Sequence, residues 1–183
     1  GSKSIRHCTE VEVARPWVAI SRYDAPLPNP EAFEVYPNRD SLPFMADYQF
    51  DPSWKVKEFV RGTLRLNGWA DAWAGIFEEV GTASDARLAE MAEQLLTENA
   101  YEDGEPDRVV LCVDLLAEKQ GTPVWHKTYV MDAWGDARGS AMARLVSHPV
   151  AMAVEAVLNR GIAPGVRPAP RHPTLGSRGL EEL

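Results

Sequence analysis

The sequence predicts an α+β domain with a mixed, largely antiparallel sheet and helices on one face. Short strand-like runs occupy the first third of the chain, and two helical stripes follow. A strand–turn–strand run then precedes a last helix. Strands and helices therefore come in separate blocks, a grouping that is typical of α+β folds.

The N-terminal strands are short. Val11 and Val13 belong to one, and residues 17–20 are a second extended piece. Residues 32–36 combine β-branched and aromatic side chains and predict a third strand. Residues 55–66 alternate with period two along their whole length, so a further strand is expected there.

Two helices are predicted after these strands. Asn67 is expected to cap the first, whose apolar residues recur at helical spacing until Gly81. The residues of that stripe are Trp69, Trp73, Ile76 and Phe77. Ser84 is expected to cap the second helix.

A hairpin and a helix are predicted in the last third of the chain. Residues 109–116 are apolar enough for a strand buried on both faces, and 119–122 supply a turn to the return strand at 124–131. A helix begins at Ser140. It is expected to kink or restart at His148-Pro149 and then to lie buried between two layers over 150–158, which is apolar nearly all round.

Length and composition predict one domain with an arm. The chain has 183 residues, of which 45% are hydrophobic and 25% charged. We assign residues 1–163 to the domain and 164–183 to a Pro-rich, extended C-terminal arm. A chain of this length buries enough surface to fold without disulfides or a structural metal.

Charge and cysteine usage exclude several classes of function. The net charge is −8, which argues against nucleic-acid partners and anionic membranes. Cys8 and Cys112 form no C-x-x-C pair, and the four histidines lack metal-ligand spacing, so no metal site is expected. The longest apolar stretch, near 150–158, is about half of a membrane span. No basic-then-apolar leader opens the chain, so a cytoplasmic protein is expected.

Two segments carry candidate binding residues. In the Tyr-Pro-Asn-Arg-Asp-Ser run at 36–41, a strand ends in a proline-stiffened loop that presents Asn38, Arg39 and Ser41. The planar guanidinium of Arg39 matches a carboxylate in two hydrogen bonds. The alternative is that Arg39 pairs with Asp40 or caps the end of the sheet.

The second segment is Arg-Gly-Thr-Leu-Arg at 61–65. Arg61, Thr63 and Arg65 share one face of the predicted strand, and like charges on one face are costly unless an anion or acidic groups lie opposite. This indicates a strand face that binds carboxylates. A solvated edge strand kept soluble by its charge is the alternative.

These segments resemble the L-glutamate-forming saccharopine dehydrogenases, also called saccharopine reductases. The resemblance rests on the runs at 36–41 and 61–65 and on the Gly-Trp helix after them. It continues in the acidic turn and strand entry at 101–111, in the small-residue helix at 140–153 and in the exit arm at 165–170. The linker at 81–84 and residues 1–32 are shorter than in the family.

The resemblance implies that cofactor binding and substrate binding belong to separate domains. The family joins a Rossmann nucleotide domain to a substrate-binding and dimerisation domain that resembles the glyceraldehyde-3-phosphate-dehydrogenase C-terminal fold. This chain matches only the second part. It also lacks both G-x-G-x-x-G and G-x-x-x-x-G-K-[ST], so NAD or NADP is expected on a Rossmann domain that is absent from this chain.

The resemblance also implies a substrate and a site. Saccharopine carries three carboxylates, and its oxidation to glutamate and aminoadipate semialdehyde moves a hydride to the nicotinamide cofactor. By resemblance, the substrate-binding residues are Arg39, Thr63, Leu64 and Arg65, with Asn38 and Ser41 beside them. No catalytic acid or base is assigned, and a homodimer is expected. The alternatives are a relative acting on another imine-linked amino acid, such as a carboxylated polyamine, and a non-catalytic dimerisation module.

Overall fold

The computed structural model describes residues 1–162 and divides into two compact units, Gly1–Glu105 and Pro106–Leu183. The α+β class is confirmed, with small antiparallel sheets and several helices. Within the described range the named strands form three separate sheets instead of one. The C-terminal arm assigned to 164–183 lies outside the described residues.

The first unit contains two sheets. Strands β1 (Ser2–Arg6) and β2 (Thr9–Val13) form a hairpin. Strands β3 (Ser21–Ala25), β4 (Glu31–Pro37) and β5 (Gly62–Leu66) form an antiparallel sheet in the order β3-β4-β5, which leaves β5 at one edge. The buried apolar residues of this unit include Ala25, Leu27 and Phe33.

Two strand predictions in this unit were wrong in detail. Residues 17–20 are not extended, because Pro16–Ala19 form a 3₁₀ turn. The long alternating run at 55–66 gives a strand only from Gly62. Before that point Phe59 exchanges backbone hydrogen bonds with Ile5, so the run leaves the sheet to pair with β1.

The helices of this unit are short except for the last. They are α1 (Pro43–Asp47), α2 (Trp69–Ala72), α3 (Ala74–Val80) and α4 (Asp85–Glu98). One helix was predicted where α2 and α3 lie, but Trp73 interrupts it. Asn67 does not cap α2, which starts after Gly68 at a φ of 89°. Ser84 does cap α4, since its hydroxyl accepts from the amide of Arg87.

The second unit is a hairpin followed by a helix. Strands β6 (Arg108–Lys119) and β7 (Thr122–Trp134) pair along their length around the predicted turn. Helix α5 (Ala141–Leu158) begins at Ser140, whose hydroxyl accepts from the amide of Ala143, and it runs through Pro149 without a restart.

The burial predicted for this unit was wrong within the described residues. Leu111, Val113 and Leu115 on β6 are exposed, and so are Val150 and Val154 on α5. The pattern of apolar residues was right, but it marks surfaces that are exposed among residues 1–162. By length and composition alone α5 could also cross a membrane, and one such helix is weak evidence of that.

Candidate functional site

The loop after β4 is fixed between two strands by its backbone. Lys3 donates its amide to the carbonyl of Arg39 (3.0 Å) and accepts from the amide of Ser41 (2.8 Å). The amide of Asn38 donates to the carbonyl of Arg61 at 2.7 Å. The hydroxyl of Ser41 accepts from the amide of Arg61 at 3.1 Å. The loop therefore joins β1 to the start of β5.

Arg39 lies at the tip of this loop in an uncommon conformation. Its φ is 51°, in the left-handed region that a non-glycine residue adopts at an energetic cost. The flanking hydrogen bonds hold it there. Its side chain is exposed and forms no ion pair within residues 1–162. Asp40 does not pair with it, because its carboxylate accepts from the amide of Leu42.

The β4–β5 register decides which side chains share a face. Tyr36 pairs with Thr63 and Glu34 with Arg65, so these four lie on one face of the sheet. The Asn38–Arg61 hydrogen bond extends the same register by one pair. We call the residues Tyr36, Asn38, Arg61, Thr63 and Arg65 the arginine face. The predicted alternation of Arg61, Thr63 and Arg65 agrees with this placement.

Aromatic rings support two of the guanidinium groups. Arg65 lies 5.7 Å from the ring centre of Tyr36 and 5.5 Å from that of Trp69, and these two rings stack on each other at 5.4 Å. Arg61 lies 3.6 Å from the ring centre of Phe44. Stacking on aromatic rings covers a guanidinium face and leaves its N–H edge available for an oxyanion.

None of the three arginines is neutralised by an acidic side chain. In the part of the chain that the structure describes, Arg39, Arg61 and Arg65 form no salt bridge, although Arg22 on neighbouring β3 pairs with Asp24 at 2.6 Å. Glu34 faces Arg65, but its two oxygens accept from the amides of Gly68 (3.0 Å) and Ala70 (2.7 Å). The arrangement can therefore receive carboxylates from outside.

Two of the six predicted binding residues lie elsewhere. Leu64 pairs with Val35 on the opposite face of the sheet from Thr63 and Arg65. Ser41 is fully buried, so its hydroxyl serves Arg61 and is not exposed to a ligand. Asn38, Arg39, Thr63 and Arg65 lie on or beside the arginine face, where their binding role stays a prediction.

Three residues of this site were missed. The rings of Tyr36, Trp69 and Phe44 lie against the guanidinium groups of Arg65 and Arg61. Tyr36 is two residues after Glu34 on β4, so strand alternation places both on the same face. Trp69 was assigned to a helical core stripe, yet it packs on Tyr36 as well as on Trp73 and Phe77. Only the fold brings Phe44 next to Arg61, so no local pattern could have indicated this contact.

The edge position of β5 also fits the alternative prediction of a solvated edge strand kept soluble by its charge. An edge strand with exposed cations is also a device against aggregation. That reading accounts for exposure of Arg61 and Arg65. It does not account for Arg39, which lies outside the strand in a left-handed conformation.

The described residues do not fit a nicotinamide nucleotide. A phosphate is usually held by free amides at a helix N-terminus. Here the amides of α2 bind Glu34, Ser84 caps α4, and Asp107 accepts from the amides of Ala141 and Met142 at the start of α5. Carboxylates and hydroxyls of the chain thus occupy these three helix starts.

The second unit presents an apolar surface. Five exposed side chains share one face of the β6–β7 hairpin, which we call the apolar hairpin face. They are Leu111, Val113, Leu115, Trp125 and Tyr129, and Lys127 lies on the same face opposite Leu115. On the other face the carboxylate of Asp114 accepts from His126 (2.8 Å) and Thr128 (2.5 Å), and these contacts lower its pKa.

No group of three or more metal-ligating side chains occurs among residues 1–162. His7 contacts Glu58, and His126 contacts Asp114. Cys112 is partly buried on β6.

Comparison with known proteins identifies the family. The fold is an α+β domain, and a family model described as the saccharopine dehydrogenase C-terminal domain matches residues 3–183. The chain therefore belongs to the saccharopine dehydrogenase C-terminal domain family. This confirms the resemblance drawn from the motifs. No curated protein sequence matches the chain.

A solved structure shares the fold. The chain is similar to apo histidine-tagged saccharopine dehydrogenase (L-Glu forming) from Saccharomyces cerevisiae, with a TM-score of 0.73 and 22% sequence identity. The match covers 99% of this chain and 55% of that chain. The present chain therefore spans about half the length of that enzyme.

Proposed function

We propose that this chain is the substrate-binding part of a saccharopine dehydrogenase-like oxidoreductase of lysine metabolism. The observation that carries the proposal is a set of three arginines on or beside the arginine face that have no acidic partner among the described residues. They are Arg39, Arg61 and Arg65. Saccharopine carries three carboxylates, and guanidinium groups bind carboxylates in a fixed geometry. Membership of the family supports this choice of substrate.

The chain's contribution to the reaction is binding and orientation. Arg39 and Arg65 bind carboxylates, and Thr63 supplies a hydroxyl beside them on the same face. Holding the substrate by its carboxylates fixes the carbon that exchanges the hydride. The cofactor, NAD or NADP, supplies the hydride chemistry from a nucleotide domain outside this chain, because the described residues do not fit it.

A homodimer in the cytoplasm is the proposed assembly. The apolar hairpin face and the exposed valines of α5 are larger than a scatter of single apolar residues. Contiguous exposed apolar surface of this kind marks an interaction site. This observation also favours a second candidate function, a non-catalytic dimerisation module with the same surface.

A relative acting on a carboxylated polyamine is disfavoured by the arginine face. Such substrates are more cationic than saccharopine. An acidic site would suit them better, and the acidic side chain nearest in register, Glu34, is bonded to backbone amides.

The decisive experiment is an assay of the complete protein that contains this domain. Saccharopine is supplied with NAD or NADP, and formation of reduced cofactor and of glutamate is followed. Turnover with saccharopine supports the proposal. Turnover with a carboxylated polyamine alone supports the relative, and an absence of turnover with either substrate supports the dimerisation module.

The isolated 183-residue chain provides a separate test. We expect no calorimetric binding of NAD or NADP to it, because groups of the chain already occupy the starts of α2, α4 and α5. Micromolar binding of either nucleotide would contradict the assignment of the cofactor to another domain.

A further inference from the structure

Arg61 is held more firmly than a solvated surface arginine needs to be. Its carbonyl accepts from Asn38 at 2.7 Å, its amide donates to the buried hydroxyl of Ser41 at 3.1 Å, and its guanidinium stacks on Phe44 at 3.6 Å. Backbone and side chain are thus restrained from three directions. Such restraint lowers the entropy that a flexible side chain loses when it binds a ligand.

The place of Arg61 in the sheet adds a charge argument. Arg61 extends the register that puts Thr63 and Arg65 on one face. The carbonyl of Arg61 accepts from Asn38, and Arg39 is the next residue in the chain. Alternate strand residues are about 6.6 Å apart, so Arg61, which directly precedes β5, lies about 13 Å from Arg65 along the strand direction. Within residues 1–162 no acidic side chain pairs with any of these cations.

We propose that Arg61 is a third carboxylate-binding residue of this site, and that Ser41 and Phe44 are its positioning residues. The proposal rests on the proposed function and extends it. Arg39 and Arg65 match two carboxylates, and Arg61 matches a third. The site then discriminates tricarboxylate ligands from dicarboxylate ligands through Arg61.

The first test uses the 183-residue chain and two simple probes, propane-1,2,3-tricarboxylate and glutarate. Arg61→Gln should weaken binding of the tricarboxylate by about tenfold and leave glutarate affinity within about twofold. Arg22→Gln is the matched control, since Arg22 lies on the same sheet face and is already paired with Asp24. It should change neither affinity.

The positioning residues have their own expected results. Phe44→Leu and Ser41→Ala should each weaken tricarboxylate binding by several-fold with little effect on glutarate, and Arg61→Lys should restore only part of the affinity. In the complete enzyme Arg61→Gln should raise the KM for saccharopine and leave kcat nearly unchanged, since the interaction is made equally in the ground and transition states.

Three results would overturn the inference. They are unchanged tricarboxylate affinity in Arg61→Gln, equal losses for both probes, and an unmodified chain that binds neither probe. Failure of the proposed function is separate. A complete protein that does not turn over saccharopine, while its domain loses tricarboxylate binding on Arg61→Gln, would retain this site and lose saccharopine as its substrate.

Discussion

Glu34 and Arg65 face each other across β4 and β5, yet the carboxylate of Glu34 is bonded to the amides of Gly68 and Ala70 and not to the guanidinium. The acid that should neutralise Arg65 is used to start α2 instead. Trp69 lies between those two amides in sequence and places its ring on Tyr36, beneath Arg65. One carboxylate thus orders the helix, the aromatic support and the unpaired cation together.

The first prediction concerns Arg39 and Arg65. In the complete enzyme, Arg39→Ala or Arg65→Ala should lower kcat/KM for saccharopine. The loss should correspond to about 1.5–3 kcal/mol of binding free energy, the contribution of one charged hydrogen bond. Affinity for the nicotinamide cofactor should stay nearly unchanged. Lysine at either position should restore only part of the loss, because it lacks the planar fork of donors.

Arg22→Ala is the control for both variants. Arg22 is an exposed arginine on the same sheet face, and Asp24 already occupies its guanidinium. Its removal should leave saccharopine kinetics intact. Wild-type kinetics in both Arg39→Ala and Arg65→Ala would contradict their role in substrate binding and leave Arg65 as a charge that keeps an edge strand soluble.

The second prediction concerns Glu34. Glu34→Ala leaves the amides of Gly68 and Ala70 without partners in a partly buried place. The loss should be about 0.5–2 kcal/mol of unfolding free energy, as for a helix cap. Urea denaturation followed by tryptophan fluorescence measures it. Glu78→Ala on the exposed side of α3 is the control, and equal stability of the two variants would contradict the capping role.

Local rules predicted several elements well, since their causes lie within a few residues. Ser84 and Ser140 cap their helices, because each hydroxyl accepts a hydrogen bond from the backbone amide three residues later. The turn at 119–122 joins β6 and β7 where the polar run with Gly121 predicted it. Alternation along the strand also predicted that Thr63 and Arg65 share a face, which the pairing with Tyr36 and Glu34 confirms.

The failures have nonlocal causes. Residues 55–61 alternate as a strand would, but Phe59 pairs with Ile5 far away in sequence. Ser41 is polar and lies in a loop, which suggests exposure, yet its burial depends on contacts with β1 and Arg61. The stacking of Phe44 on Arg61 depends on the same fold. For that reason the sequence indicates the binding motifs but not how they are held.

The third prediction is a pH dependence of the second unit. Hydrogen bonds from the amides of Met142 and Ala141 hold the pKa of Asp107 below its ordinary value of 3.8. Because the folded pKa is the lower one, Asp107 stabilises the fold above pH 3.8 and loses this contribution as the pH falls through the folded value. Asp136 behaves alike, since Arg138 lowers its pKa to about 2.

Circular dichroism of thermal unfolding at pH 7 and pH 3 measures this effect. Asp107→Asn should lower the Tm at pH 7 and flatten the dependence on pH. Asp103→Asn, in the exposed turn before β6, should behave as wild type. A wild-type pH profile in Asp107→Asn would assign the acid sensitivity to other carboxylates.

The last prediction concerns self-association through the apolar hairpin face. Leu115 and Leu116 are neighbours in sequence, both exposed, and on opposite faces of the hairpin because β6 alternates. Leu115→Lys places a second cation opposite Lys127 and beside Val113 and Tyr129. It should weaken a dimer by at least about tenfold, which is about 1.4 kcal/mol. Leu116→Lys should leave the dimer constant within about twofold, since Leu116 lies outside the apolar hairpin face, on the side that carries the Asp114–His126 hydrogen bond. Sedimentation velocity over a concentration series measures both. A wild-type protein that stays monomeric at every concentration, or equal effects of the two lysines, would remove this face from the assembly.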